Sequence, residues 1–210
     1  MSKVVVIDHP VLAHRLALLR DRRTHRDTFR QLVSEISAFL AYEALRDLGT
    51  AEVLIDTPVR SGATVVQVTE NLLVVPILRA GLGMVQAIQE VVPLTEVAHV
   101  GLRRDEATLQ SEVYLNRLPK DLRGRRVIVC DPMLATGGSL AQVCSLVAER
   151  GARDIIALCI IASAPGLERF GALHPSVALY CVAVDPELNS VGYIIPGLGD
   201  AGDRLFGPPD

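Results

Sequence analysis

The stretch Val127-Ile-Val-Cys-Asp-Pro-Met-Leu-Ala-Thr-Gly-Gly-Ser139 carries the clearest chemistry in the sequence. An apolar run of strand length ends at Cys130, an acid follows at Asp131, and Thr136 to Ser139 make a small-residue turn ahead of a helical stretch. Small residues let the backbone N–H groups of Ala135, Thr136, Gly137, Gly138 and Ser139 converge on an anion, and a helix N-terminus adds partial positive charge. The Thr136 and Ser139 hydroxyls can donate to the same phosphate. No Gly-Lys-Ser/Thr is present, so this is not a Walker A loop and ATP hydrolysis is disfavoured. An ordinary βα turn with Ser139 as helix N-cap would use the same residues. An acid at the carboxyl end of a strand, beside a phosphate cradle, tips the reading towards a sugar phosphate, whose hydroxyls Asp131 can accept from.

Val75-Pro-Ile-Leu-Arg-Ala-Gly-Leu-Gly-Met84 repeats the strand–turn–helix pattern, with Arg79 at the carboxyl end of its strand. Gly81 and Gly83 are expected to take torsions that a side chain would forbid. In the blander alternative they merely make the turn, and Arg79 forms a surface ion pair. Two such turns on neighbouring strands would point at one crevice, which Arg103 and Arg104 can reach over. Residues 197–202, Gly-Leu-Gly-Asp-Ala-Gly, have the spacing of a dinucleotide fingerprint, but only eight residues follow Gly202. That leaves no room for the helix and partner acid the fingerprint needs. These glycines suit close backbone approach to a flat, small ligand instead.

Positioning such loops calls for buried strands and covering helices. Half of the 210 residues are hydrophobic, 21% are charged and 4% aromatic, with no Trp, so the apolar content is mostly aliphatic. That composition suits a parallel sheet and disfavours stacking platforms for RNA. From Thr24 to Leu48 the apolar residues recur at helical spacing, with Thr24 as expected N-cap and Gly49 as expected C-cap. A shorter helix is expected over Pro10 to Arg20, after a brief strand. Apolar runs at 72–77, 127–130, 155–161 and 177–182 read as strands, alternating with helices at 82–91, 139–150 and about 166–172. This is the βαβ alternation of an α/β fold, a mostly parallel sheet with helices on both faces. No linker divides the chain, so a single domain over 1–210 is expected. Residues 102–120 read as a charged flap or hairpin. Residues 191–210, with five Gly and three Pro, are expected to form no regular element, although Tyr193-Ile-Ile-Pro196 is apolar enough to need burial.

A net charge of −3 and a pI near 6.0 argue against general nucleic-acid binding. Cys130, Cys144, Cys159 and Cys181 lack metal or redox spacing and read as buried thiols. The longest apolar run is eight residues, Ile155 to Ala162, far short of a membrane span of about 18. A soluble, cytoplasmic protein is expected.

Together, residues 76–83, 131–139 and 192–203 resemble the uracil phosphoribosyltransferases, within the type I phosphoribosyltransferases, and matching features run from His9-Pro10 to Phe206-Gly207. The resemblance implies transfer of ribose 5-phosphate from phosphoribosyl diphosphate (PRPP) to uracil, giving UMP and diphosphate. It implies PRPP contacts from Arg79, Arg104, Asp131, Pro132, Met133, Leu134, the 135–139 turn and Asp200, with Asp131, Arg104 and Asp200 at the catalytic centre. Uracil contacts would come from Ile194, Gly199, Asp200 and Ala201, largely through backbone. Mg²⁺ would be held mainly by the diphosphate and water, with no protein ligand set. A homodimer or tetramer, and GTP as an activator, are implied in the same way. Two departures stand out. Pro132 follows Asp131 where most type I enzymes have a second acid, a feature the uracil family shares. Arg103 occupies a position where a neutral residue is expected. The alternatives are transfer to another nucleobase, or a pyrimidine-sensing RNA-binding regulator, against which the charge and sparse Lys speak.

Overall fold

The computed structural model describes residues 3–104 and 111–208. The chain opens with β1 (Val4–Val6), α1 (Pro10–Arg20) and α2 (Arg26–Ala44), then a hairpin of β2 (Thr50–Ile55) and β3 (Ala63–Val68). Next come β4 (Leu72–Leu78), α3 (Leu82–Val91), β5 (Glu96–Val97), β6 (Val100–Arg104) and β7 (Ser111–Asn116). They are followed by β8 (Arg126–Cys130), β9 (Met133–Leu134), α4 (Gly138–Glu149), β10 (Asp154–Leu158), β11 (Ile161–Ser163) and α5 (Ala164–Leu173). The last elements are β12 (Ala178–Cys181), β13 (Ala183–Asp185), β14 (Glu187–Leu188), β15 (Ile194–Ile195) and α6 (Ala201–Phe206).

The main sheet has the order β1-β12-β10-β8-β4-β6-β7, with β5 also paired to β4. Its pairings are parallel except β6 with β7. The expected α/β architecture is the one observed. Alternation along the central strands feeds two cores, one on each face of the sheet. Leu72, Val74, Ile128 and Cys130 pack with α1, α2, α3 and α6, while Leu73, Val75, Val127 and Val129 pack with α4 and α5. The four cysteines are buried and free.

Several local expectations need correction. Thr24 does not cap α2: His25 holds that position, and the Thr24 hydroxyl donates to the Leu18 carbonyl across the turn. The helix stops at Ala44 rather than Leu48, because Arg46 and Leu48 donate to carbonyls three residues back and tighten the chain into turns. Gly49 is no C-cap; its N–H donates to Glu70 Oε1. The 155–161 run splits into β10 and β11, which belong to different sheets. Hairpin β2–β3 was not expected, and the tail contains β15 and α6. Of the 102–120 segment, β6 and β7 are hairpin limbs, residues 105–110 lie outside the described residues, and Leu118 is buried.

Candidate active site

The 131–139 turn leaves the carboxyl end of β8 and is pinned from below. The Asp131 N–H donates to Leu158 O at 3.1 Å, and the Pro132 carbonyl accepts from Ile160 and Ile161. Pro132 and Leu134 are buried, so their side chains face the core. Strand β9 pairs with β11, and Ser163 Oγ donates to Ala135 O at 2.6 Å while accepting from Gly166 N. At Gly137 the backbone turns left-handed, φ +76°, and a Cβ there would lie 2.6 Å from Gly166 O. Only glycine fits both constraints. Gly137 is the N-cap of α4, so Ser139 lies inside the first turn and the N-cap reading of it falls away. The first helical N–H groups have no acceptor four residues back, and the dipole's positive end opens here.

Strand β4 lies beside β8 in register, Pro76 opposite Cys130, so Arg79 and Asp131 emerge at one edge. Gly81 has ordinary helical torsions, φ −58°, which corrects the expectation of a forbidden conformation. Its requirement is space: a Cβ would meet Cys130 O at 2.6 Å and Ile77 O at 2.8 Å. Gly83 is likewise crowded by Leu205. Arg79 pairs with Asp203 at 3.0 Å, and both side chains are more than a third exposed. Such pairs contribute about 0–1 kcal/mol, so Arg79 can exchange its partner cheaply.

Two adjoining hollows share Met133, Ala135 and Asp200. One, of about 270 Å³, is lined also by Arg79, Asp131 and Gly202. The other, of about 310 Å³, is lined also by Leu102, Arg103, Thr136, Ser139 and Val191 to Ile194. Desolvation pushes the Asp131 carboxyl up to about 7, the charge of Asp200 adds to this, and the Met133 N–H opposes it. A half-buried acid raised towards neutrality, at a strand end in a cleft, makes Asp131 a candidate functional group. Arg104 closes β6, and its side chain lies outside the described residues.

The 189–202 segment is a strap across the second hollow. Asn189 Oδ1 accepts from Val191 N and Tyr193 N, shaping its first turn. The peptide bond Ile195–Pro196 is cis, and Gly192, Gly197 and Gly199 have positive φ. Ile194 is buried with its edge on the hollow, whereas Gly199 is exposed and Ala201 fully buried. The Asp200 carboxylate caps α6 through Asp203 N at 2.9 Å. Val191, Tyr193 and Leu102 also line the hollow; Tyr193 falls within the 192–203 motif, but none of the three was among the expected site residues, and no motif marks Val191 or Leu102.

The sequence model of the family "Uracil phosphoribosyltransferase" matches residues 6–208. The chain belongs to the uracil phosphoribosyltransferase family. It is 50% identical over 207 residues to the uracil phosphoribosyltransferase of Clostridium perfringens and 48% identical to that of Clostridium kluyveri, covering 99% of each chain in both pairs. A solved structure from Aquifex aeolicus superposes with a TM-score of 0.92 at 36% identity, over 97% of this chain and 98% of that one. A hypoxanthine phosphoribosyltransferase from Staphylococcus aureus gives 0.53 at 12% identity, over 76% of each chain. That distance shows shared fold alone. The uracil phosphoribosyltransferase motifs thus sit on a phosphoribosyltransferase fold, with the two turns at one sheet edge. Among the described residues no helix is long and apolar enough to cross a membrane.

Proposed function

We propose that the chain transfers the 5-phosphoribosyl group of PRPP to N1 of uracil, releasing UMP and diphosphate. The observation that carries this is the convergence of Asp131, Asp200, Arg79 and the 135–139 turn on two adjoining hollows. The hollow lined by Thr136, Ser139 and Ile194 suits the 5′-phosphate and a small planar base, and the one lined by Arg79 and Asp131 suits the ribose and diphosphate. The turn's amides and the α4 dipole hold the 5′-phosphate. Asp131 accepts from the ribose hydroxyls, and Arg79 and Arg104 hold the diphosphate. As the C1–diphosphate bond lengthens, the ribose becomes cation-like and negative charge grows on the leaving group. Arginine charge at the diphosphate stabilises that developing charge, once Arg79 exchanges Asp203 for the ligand. Uracil N1 bonds to C1 as the C1–O bond to diphosphate breaks, and the N1 proton passes to the departing diphosphate or to solvent, so no nucleophilic side chain is needed.

Asp131 and Asp200 are near enough for their charges to interact, a pair that suits the hydration sphere of a hard cation. Mg²⁺, when bound, supplies charge neutralisation at the diphosphate. The base is read by backbone groups of Ile194 and Asp200, which line the base-side hollow, with Gly199 and Ala201 flanking Asp200 but lining neither hollow. A backbone N–H at O4 and a C=O at N3–H accept uracil, and cytosine would mismatch both, at about 1–3 kcal/mol each. Pro132 and Leu134 are buried and serve PRPP by carrying the turn, while Met133 lines both hollows.

The reading extends to one domain over 1–210, cytoplasmic and homo-oligomeric, with GTP as activator. Hairpin β2–β3 supports an oligomer. It packs mainly on itself, yet Leu54, Val59 and Val66 are 72%, 96% and 65% exposed. A lone two-stranded hairpin is marginal in water. A roomier hollow, about 690 Å³, lies at its root against the ends of α2 and α3, away from the chemistry.

Incubation with labelled uracil, PRPP and Mg²⁺ is expected to yield UMP, and folded protein that forms none rejects the proposal. Competing bases in the same assay test base choice, added GTP tests activation, and sedimentation tests assembly.

A further inference from the structure

We infer that the ion pair between Arg20, at the end of α1, and Asp185, at the end of β13, positions the base-binding strap, and so sets affinity for the base without touching it. The inference rests on the uracil reading above. Asp185 is 4% exposed, one of few charged residues buried among the described ones. Arg20 grips it with both arms of the fork, Nη2 donating to Oδ1 at 2.6 Å and Nη1 to Oδ2 at 2.7 Å. The pair then closes on a single residue of the strap. Arg20 Nη1 also donates to Gly197 O at 2.7 Å, and Asp185 Oδ2 accepts from Gly197 N at 3.0 Å.

Gly197 sits where the strap reverses most tightly. Its φ is +64°, and a Cβ there would lie 2.1 Å from Ile194 O. Three residues before it, Ile194 lines the base-side hollow; three after it, Asp200 lines both hollows. Gly197 lines neither. Fixing its N–H and C=O together fixes the orientation of the chain between two residues that do face the ligand. If the base is read by backbone groups, a small rotation here misdirects donors and acceptors at once.

Stability alone is a poor account of the pair. A buried ion pair can often be replaced by apolar residues at no net loss, whereas removal of one partner leaves an uncompensated charge. What apolar residues cannot do is hold both polar atoms of one glycine. Lysine cannot either, since it lacks the planar fork.

The test uses the full chain and measures KM for uracil, KM for PRPP, kcat and thermal stability. For Arg20→Lys and Asp185→Asn the expected result is a rise in uracil KM of roughly ten- to hundredfold, with PRPP KM within about threefold of wild type. The double variant Arg20→Met with Asp185→Leu removes both charges and is expected to recover melting temperature while keeping the raised uracil KM. Recovery of uracil KM together with stability would overturn the inference, as would an unchanged uracil KM in the folded single variants, or equal rises in both KM values. A wild-type protein that makes no UMP would instead overturn the uracil reading itself.

Discussion

The turn at 131–139 and the strap at 189–202 face each other across the site but are held by opposite means. The turn is fixed by sheet register and by glycine at a crowded position: β8 below it, β9 within it, and Gly166 O pressed against Gly137. The strap has little regular structure and is tied by side chains reaching from far along the chain. Arg20 and Asp185 hold Gly197, while Arg204 donates to Leu19 O, Asp21 O and Leu198 O and lies 4.1 Å from the Phe29 ring centroid. A site for a phosphate, common to many substrates, can be built from local backbone. The strap facing it, proposed to read the base, depends instead on long-range ties, most of them made by arginines.

Breaking the turn should have the largest effect. Gly137→Ala must place a Cβ against Gly166 O at positive φ. It is expected to lower kcat/KM for PRPP roughly hundredfold and to destabilise by about 2–4 kcal/mol, read by kinetics and urea melts. A near-normal enzyme would show that the turn is not pinned as described.

Asp131→Asn comes next and separates function from stability. Its loss of ribose contacts is expected to cost roughly 10- to 100-fold in kcat/KM for PRPP. The carboxyl is raised to about 7 in the folded protein, so the folded state prefers the proton. Native stability is therefore drained as pH rises from the unfolded value near 4 to the folded one near 7. The asparagine variant escapes this penalty, and its melting temperature should exceed wild type at pH 8, with the gap closing by pH 4. A gap that widens on acidification would contradict the shift.

On the strap side, Arg204→Ala loses three carbonyl contacts and the Phe29 face. A destabilisation of about 2 kcal/mol is expected, with uracil KM rising several-fold more than PRPP KM. The smallest effect should come from Asn189→Ala, which removes two acceptor contacts to exposed amides. A rise of about threefold in uracil KM, with stability changed by under ~1 kcal/mol, would fit. Equal effects on both substrates in either variant would erase the distinction between the two regions. Deleting residues 192–210 is no clean test, because Ile194, Leu198, Ala201 and Leu205 are core residues.

The same difference governed what could be read in advance. The turn was legible because its signals are adjacent in sequence: an apolar run, an acid, small residues, then helical periodicity. The sheet was legible because aliphatic runs buried on both faces need no partner to be recognised. Hairpin β2–β3 was missed because its alternation is diluted by Thr50, Glu52, Thr64 and Gln67, and α6 because glycine and proline counts hid a six-residue helix capped by Asp200. At Gly81 the constraint is not torsion, which is local, but the Cys130 carbonyl, which is distant in sequence. The Arg20–Asp185 tie spans 165 positions, a separation no local pattern reports.

The clasp of Arg204 on Leu19 and Asp21 joins residues separated by more than 180 positions. During synthesis, therefore, the strap is tied down only after helix α1 has long since emerged. A nascent polypeptide with about its first four-fifths emerged carries the 131–139 turn together with Ser163 and Gly166, which pin it, but it has no strap for helix α1 to grasp. The turn and the residues that pin it are therefore all synthesised before the strap that faces them.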